Sequence, residues 1–240
     1  MQAAQATVEG RPVHSVHCYF LRRGDFNAPI VYEVEHSRDG GSFTARRVVA
    51  IQHGRPIFTM SASFQATEAG LDWGRRIDMP PLPSKPGRTA RHSSQSDNGP
   101  RHKIAMPTSD FTLCRVEQAH KTDPQSLQWW IKTRDALPEE QDIQRAVLAY
   151  ISDFGLLGAS LLPHEYPVED PNAPRPKILF ASIDHAIWFH RPCKVDEWLL
   201  YYCRSISTSG ARGTAQGSLY DAEGMLVATT MQEGLVRQLA

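Results

Sequence analysis

The chain has 240 residues, with 26 basic and 26 acidic side chains and a formal net charge of zero. Because the charges balance, the composition does not indicate a general nucleic-acid binder or a protein that binds anionic membranes. The sequence has no apolar run of the roughly 20 residues that a transmembrane helix needs, and residues 1–10 lack the features of a secretory signal. We therefore expect a soluble protein of the cell interior.

Four strands are predicted in the first part of the chain, at residues 13–22, 29–37, 43–52 and 57–65. Each is rich in β-branched and aromatic side chains, and short glycine-containing turns separate the last three. This spacing is typical of an antiparallel meander. Residues 79–107 then contain six prolines and few large apolar side chains, which predicts a linker.

Two strands (111–117 and 128–134) and a helix at 138–153 are predicted next. A short apolar segment (154–162) and four strands (178–190, 198–207, 211–220 and 225–236) complete the chain. The helix prediction rests on apolar residues at helical spacing: Ile143, Ala146, Val147, Tyr150, Ile151 and Phe154. Pro138 suits the first helical position. Asp153 lies at the opposite end, where the helix dipole disfavours an anion. It is therefore either exposed to solvent or a functional residue.

The two parts of the chain repeat one another. Residues 20–22, 42–46 and 62–65 match residues 189–191, 208–212 and 229–232, with offsets of 169, 166 and 167. A period this long indicates duplicated domains. We predict an N-terminal unit at 1–78, a linker at 79–107 and a C-terminal unit at 108–240. In the first unit, residues 1–7 resemble only the last turns of a helix, so we expect it to lack its first strand and helix.

Several segments are similar to the acyl-CoA thioesterase II family: FLRRGD from residue 20, residues 38–65, IDHAIWFHRP from residue 183, EWLLY from residue 197 and ATTMQEGLVR from residue 228. The resemblance implies an α+β double hotdog, in which antiparallel sheets are each wrapped on a central helix. It also implies hydrolysis of fatty acyl-CoA to free fatty acid and coenzyme A, without metal or cofactor.

The resemblance also implies a site of three residues that hold the attacking water. The family's aspartate falls on Asp153, its hydroxyl residue on Ser182 and its glutamine on Gln232. Bacterial members have threonine in place of Ser182, and serine supplies the same hydroxyl without the methyl that restricts its rotamers. We expect Asp153 to be a buried base beside an apolar wall. Without the resemblance, the simpler interpretations are that Asp153 is exposed to solvent, that Ser182 fills space in the core and that Gln232 lies at the edge of the sheet.

Other residues allow competing interpretations. Ser182 shares a strand face with Phe180 and Asp184 if no bulge intervenes. Asp184 and His185 are neighbours in a strand and point to opposite faces, so we predict a structural histidine rather than an acid–base pair. Three arginines could bind the phosphates of coenzyme A or be solvated: Arg46, Arg47 and Arg212.

The cysteines do not indicate a nucleophile or a metal site. They are scattered without the spacing of a zinc site or a disulfide framework, and no histidine is placed to activate Cys193 or Cys203. We expect reduced thiols at all four positions, namely Cys18, Cys114, Cys193 and Cys203.

The leading hypothesis is therefore an acyl-CoA thioesterase with acyl-CoA as its partner molecule and a tendency to form homo-oligomers. The alternatives are a non-catalytic acyl-CoA-binding protein or inactive truncated fragment, and another hotdog enzyme such as an enoyl-thioester hydratase. Eukaryotic members resemble peroxisomal enzymes, but residues 238–240 are not a Ser-Lys-Leu signal, so the predicted compartment is the peroxisome or the cytoplasm.

Overall fold

The computed structural model describes residues 1–83, 110–116, 123, 125–164 and 178–239. In this part of the chain, eleven strands form one antiparallel sheet and helices are few. The helices are α1 (Gln2–Gln5), α2 (Gln141–Ile151) and a 3-10 helix (Leu157–His164). The strands are β1 (Val13–Phe20), β2 (Val31–Asp39), β3 (Phe43–Gln52), β4 (Arg55–Gln65), β5 (Phe111–Arg115), β6 (Ser126–Thr133), β7 (Ile178–Ser182), β8 (Asp184–Phe189), β9 (Leu199–Ser209), β10 (Arg212–Tyr220) and β11 (Leu226–Gln238).

The strand order reflects the predicted repeat. It runs β2-β3-β4-β1-β8-β11-β10-β9-β6-β5, with β7 paired beside β8 on β11. The block β2-β3-β4-β1 is thus followed by its reverse, β8-β11-β10-β9, and β1 pairs antiparallel with β8 at the junction. The two predicted sheets therefore join edge to edge, and the α+β double-hotdog prediction is confirmed with a continuous sheet. In the first half the described helix is the four-residue α1.

The helix α2 differs from its prediction in its start and in its buried face. It begins at Gln141 after Glu140, whose extended backbone (ψ 119°) ends the preceding turn, so Pro138 is not its first residue. Its buried side chains are Gln144, Arg145, Leu148 and Ile151. The predicted apolar stripe is confirmed at Ile151, which is in the core, and at Val147 and Phe154, which pack against it, but the buried face extends to Gln144 and Arg145. The predicted core residue Tyr150 is exposed, and its ring instead packs against Phe111 and Phe154 near the surface.

Partners from distant parts of the chain explain why two polar residues are buried on α2. The Arg145 guanidinium donates to the Val13 carbonyl at 2.6 Å. The Gln144 amide accepts from the Val195 N–H at 2.7 Å and donates to the Pro138 carbonyl at 2.9 Å. Buried polar groups are tolerated when they are hydrogen-bonded in this way. The bond to Val13 also ties α2 to the first half of the molecule.

The strand predictions hold within a few residues, with one informative exception. The single strand predicted at 178–190 is two strands, β7 and β8, interrupted at Ile183. Of the predicted linker, the described residues 79–83 return to the second half, where Met79 packs against a core cluster that contains Trp130 and the Trp130 ring N–H donates to the Pro81 carbonyl. The predicted linker residues 84–107, residue 117 of a predicted strand and residues 165–177 lie outside the described residues.

The main core lies between the sheet and α2. It includes residues of both halves, such as Val16, Phe64, Leu148 and Ile187. All four cysteines are buried thiols. No helix in the described ranges is long and apolar enough to cross a membrane. The edge strand β2 is largely exposed, and the self-association predicted from the sequence stays a prediction.

Candidate active site

The three residues predicted for the site lie together on the helix-facing side of the sheet. The Gln232 amide nitrogen donates to Asp153 Oδ1 at 2.5 Å and to Ser182 Oγ at 3.0 Å. These residues come from three separate elements, so only the tertiary structure brings them into contact. The amide orientation follows from chemistry, because a carboxylate that lacks a proton can only accept.

Asp153 is positioned by the turn that follows α2. The helix ends at Ile151, Ser152 caps it, and Asp153 is the next residue. Gly155, with a φ of 71°, then reverses the chain toward the 3-10 helix. The side chain of Asp153 is exposed, so the expectation of a buried carboxylate was wrong. The turn leaves Asp153 exposed while its carboxylate still accepts the hydrogen bond from the buried Gln232.

Ser182 is positioned by the irregularity between β7 and β8. It is opposite Gly234 on β11 and is half-buried. Its hydroxyl contacts Gln232 on the helix-facing side, and the His185 ring contacts Ser152 on that same side. In a regular strand, residues three positions apart point to opposite faces. The break at Ile183 therefore works as a bulge that places both side chains toward the helix.

Gln232 is the best-held member of the three. It shares the inner face of β11 with Thr230, as the alternation predicted, and both residues are fully buried. Its nitrogen uses one hydrogen for Asp153 and the other for Ser182. Its Oε1 is buried and accepts no hydrogen bond from the described residues. The arrangement can thus present a carboxylate and a hydroxyl, both held by the Gln232 amide nitrogen, to one small molecule.

The prediction that Asp184 and His185 do not form an acid–base pair is confirmed. Asp184 accepts a hydrogen bond from the Glu233 N–H at 2.7 Å, whereas His185 Nε2 lies 2.8 Å from Ser152 Oγ. Burial lowers the pKa of His185, although the charges of Asp153 and Asp184 act in the opposite direction. The neutral ring is therefore favoured.

The three candidate phosphate-binding arginines are all engaged with carboxylates. Arg46 is buried, and its guanidinium contacts Asp39 at 2.6 Å and the Thr7 hydroxyl at 2.9 Å. Its other N–H groups donate to the backbone carbonyls of Thr7, Arg38 and Ala45, so Arg46 is not available to the phosphates of a ligand. The remaining two form ion pairs nearer the surface, Arg47 with Glu35 at 3.4 Å and Arg212 with Glu233 at 3.0 Å.

The buried thiols are not activated nucleophiles. Burial raises the pKa of Cys18 to about 12, that of Cys193 to about 11 and that of Cys203 further still. A thiol with a raised pKa holds its proton at neutral pH. In the ranges that the structure describes, no three His, Cys, Asp or Glu side chains lie close enough together to hold a metal ion.

Sequence reasoning missed three polar residues beside the site. Ser152, Tyr201 and Thr230 are almost completely buried, and the Tyr201 hydroxyl hydrogen-bonds to both of the others. A serine directly before the aspartate, and a threonine two residues before the glutamine, were the available signals. Neither position identifies Tyr201, which comes from β9. Gln65, the repeat counterpart of Gln232, donates instead to a nearby surface carboxylate.

Comparisons with known proteins identify relatives over almost the entire chain. A family model described as acyl-CoA thioesterase matches residues 108–235, and one described as acyl-CoA thioesterase N-terminal domain matches residues 1–65. Human acyl-coenzyme A thioesterase 8 is 33% identical over an alignment of 253 residues. The alignment covers 98% of this chain and 76% of the relative. Acyl-CoA thioesterase 2 of Haemophilus influenzae is 34% identical, covering 98% of this chain and 83% of the relative.

A solved structure gives the same result for the fold. The crystal structure of an acyl-CoA thioesterase II from Mycobacterium marinum superposes with a TM-score of 0.80 and is 35% identical. The match covers 99% of this chain and 86% of that chain. The likeness therefore extends to both halves of the sheet and includes the elements that carry all three site residues.

Proposed function

We propose a mechanism from the premise that this chain belongs to the acyl-CoA thioesterase family and is a hydrolase of acyl-CoA thioesters. In this mechanism Asp153, Ser182 and Gln232 hold the water that attacks the thioester carbonyl. The observation that carries the proposal is the pair of hydrogen bonds from the Gln232 amide to Asp153 and Ser182. They gather a base and a hydroxyl around one amide nitrogen.

The hydrogen-bonding capacity of the three groups suits a water molecule. One water O–H donates to the Asp153 carboxylate, which the Gln232 amide nitrogen holds in place. The Ser182 oxygen already accepts from Gln232, so its own hydrogen can donate to the water oxygen. One lone pair of the water is then left, and it points to the carbonyl carbon.

The reaction needs no covalent enzyme intermediate. As the water oxygen bonds to the carbonyl carbon, Asp153 takes one of its protons as general base. Backbone N–H groups would stabilise the oxyanion that forms. When the intermediate collapses, the carbon–sulfur bond breaks and Asp153 returns its proton to the thiolate of coenzyme A. The products are the carboxylic acid and the free thiol.

Replacing Ser182 tests the role of its hydroxyl. Ser182→Ala is expected to lower kcat about 10²-fold, since the water loses the donor that orients it. Ser182→Thr keeps the hydroxyl and is the matched control, expected to retain most of the activity. Thiol release from palmitoyl-CoA, followed with a chromogenic disulfide, measures both. Equal rates for Ser182→Ala and the wild type would remove Ser182 from the mechanism.

We also propose that the acyl group is a fatty chain, because an apolar surface adjoins the site. The Phe20 N–H donates to the carbonyl of Ile183, the residue after Ser182, at 2.9 Å. The Phe20 ring is 41% exposed and lies 5.5 Å from the Phe58 ring between centroids. A fatty chain that covered these rings would gain about 0.8 kcal/mol for each buried methylene.

Chain length provides the corresponding test. Steady-state kcat/KM is expected to be much higher for palmitoyl-CoA than for acetyl-CoA, since only the longer chain reaches the aromatic rings. Both substrates carry the same coenzyme A, so each is the control for the other. A preference for acetyl-CoA would contradict the fatty-acyl assignment without affecting the assignment of the water-binding residues.

A further inference from the structure

A buried polar cluster lies directly behind Asp153. We call it the Ser152 clamp, and it consists of Ser152, His185, Tyr201 and Thr230. Three of these residues are at most 1% exposed and His185 is 7% exposed. They come from the end of α2, from β8, from β9 and from β11, so three strands and the end of the helix contribute to one hydrogen-bonded cluster.

The hydrogen atoms of the clamp can be assigned from its geometry. The Ser152 hydroxyl donates to the Ala149 carbonyl at 2.8 Å. It must therefore accept from His185 Nε2, at 2.8 Å, which makes the ring the Nε2–H tautomer. On the other side, the Tyr201 hydroxyl donates to the Ser152 carbonyl. It must then accept from the Thr230 hydroxyl at 3.0 Å.

These bonds hold Ser152 through both its side chain and its backbone. The next residue, Asp153, lies beyond the last helical residue and is exposed, so packing does little to fix it. Helix ends fray when they are not held. Since Asp153 is joined to Ser152 by a planar peptide bond, any rotation at Ser152 would move the carboxylate away from Gln232.

We propose that His185 and Tyr201 are positioning residues for the hydrolysis: they fix Ser152 and thereby aim the Asp153 carboxylate at the attacking water. This inference rests on the proposed function of Asp153. Neither residue contacts the reacting atoms, and their effect passes through the peptide that joins Ser152 to Asp153. A neutral imidazole suits this task, because Nδ1 is buried and has no hydrogen-bond partner among the described residues.

Two substitutions remove the histidine bond from opposite sides. Ser152→Ala and His185→Leu are each expected to lower kcat for palmitoyl-CoA about 10–100-fold, because a misplacement of about 1 Å can cost that much. KM should stay close to the wild-type value, since neither residue touches the substrate. The double variant should be no slower than the slower single variant, because both changes remove the same bond.

A pair of amide variants separates positioning from a merely structural role. In His185→Gln the amide nitrogen can reach the position of Nε2 and donate to Ser152, so kcat should recover most of the wild-type value. In His185→Asn the same amide sits one carbon–carbon bond further back and should not restore it. Because both variants bury one amide, they should cost the fold similar stability. Rates are compared per folded molecule, measured by circular dichroism.

The outcomes distinguish the clamp from the proposed function. If the wild type hydrolyses palmitoyl-CoA and Asp153→Asn does not, while Ser152→Ala and His185→Leu keep the wild-type kcat, the clamp is wrong and the function stands. Equal kcat values for the Gln and Asn variants would likewise overturn the positioning role. A wild type without activity would overturn the proposed function and the inference with it. His53→Leu, which removes an exposed imidazole elsewhere, should leave kcat unchanged.

Discussion

Replacing Asp153 with asparagine is expected to lower kcat for palmitoyl-CoA hydrolysis about 10³-fold, within the range usual for loss of a general base. Asparagine has almost the same shape, and its amide oxygen can still accept the hydrogen bond from Gln232. It cannot take the proton of the attacking water. KM should change little, since the substitution removes a group that acts in the transition state.

The exposed position of Asp153 makes this experiment interpretable. Because asparagine can still accept the hydrogen bond from Gln232, the melting temperature should match that of the wild type. Glu139→Gln, which neutralises an exposed carboxylate just before α2, is the control for the loss of one negative charge and should keep full activity. If Asp153→Asn retained more than about a tenth of the wild-type kcat, a general base would not be required of this residue.

Gly217→Ala is expected to destabilise the protein by about 1–3 kcal/mol, the usual cost of forcing extra volume into a packed core. A Cβ at this position would lie 2.3 Å from Thr230 Oγ1 and 2.5 Å from Tyr201 Cε2. Both neighbours are buried, so the clash can be relieved only by moving parts of the Ser152 clamp. For a chain of this size, thermal unfolding should shift downward by about 2–4 °C per kcal/mol.

A second glycine provides the matched control. A Cβ at Gly41 would meet no atom within 4 Å. Gly41→Ala should therefore leave the melting temperature unchanged or raise it slightly, because alanine restricts the unfolded chain. Scanning calorimetry on the two variants measures the difference. Equal melting temperatures would mean that Tyr201 and Thr230 can shift without cost, which would contradict a rigid clamp.

Strand positions could be predicted from local pattern, but the buried face of α2 could be predicted only in part. The strand predicted at residues 43–52 has those bounds in the structure, because alternation of side chains along a strand is a local property. The apolar spacing on α2 predicted Tyr150 in the core, whereas Gln144 and Arg145 are buried instead. Their burial depends on the Val195 amide and the Val13 carbonyl, and these partners lie far away in the sequence.

The site shows the same division. The resemblance of motifs selected Asp153, Ser182 and Gln232, and the structure brings those three side chains into contact. It does so through a break in the strand at Ile183, which no local signal indicated. The exposure of Asp153 was also not predicted, because it follows from where the turn after the helix places one carboxylate.

By itself, the sequence determined the repeat, the strand-rich architecture and the family, because each is written in local spacing or in contiguous motifs. Only the tertiary structure decided how the two halves share one sheet, which face of α2 is buried and what stands behind the site residues. The physical reason is that a polar side chain can be buried wherever another group hydrogen-bonds to it, and such a group can come from any part of the chain. The other residues of the Ser152 clamp, His185, Tyr201 and Thr230, come from three strands that only folding brings together.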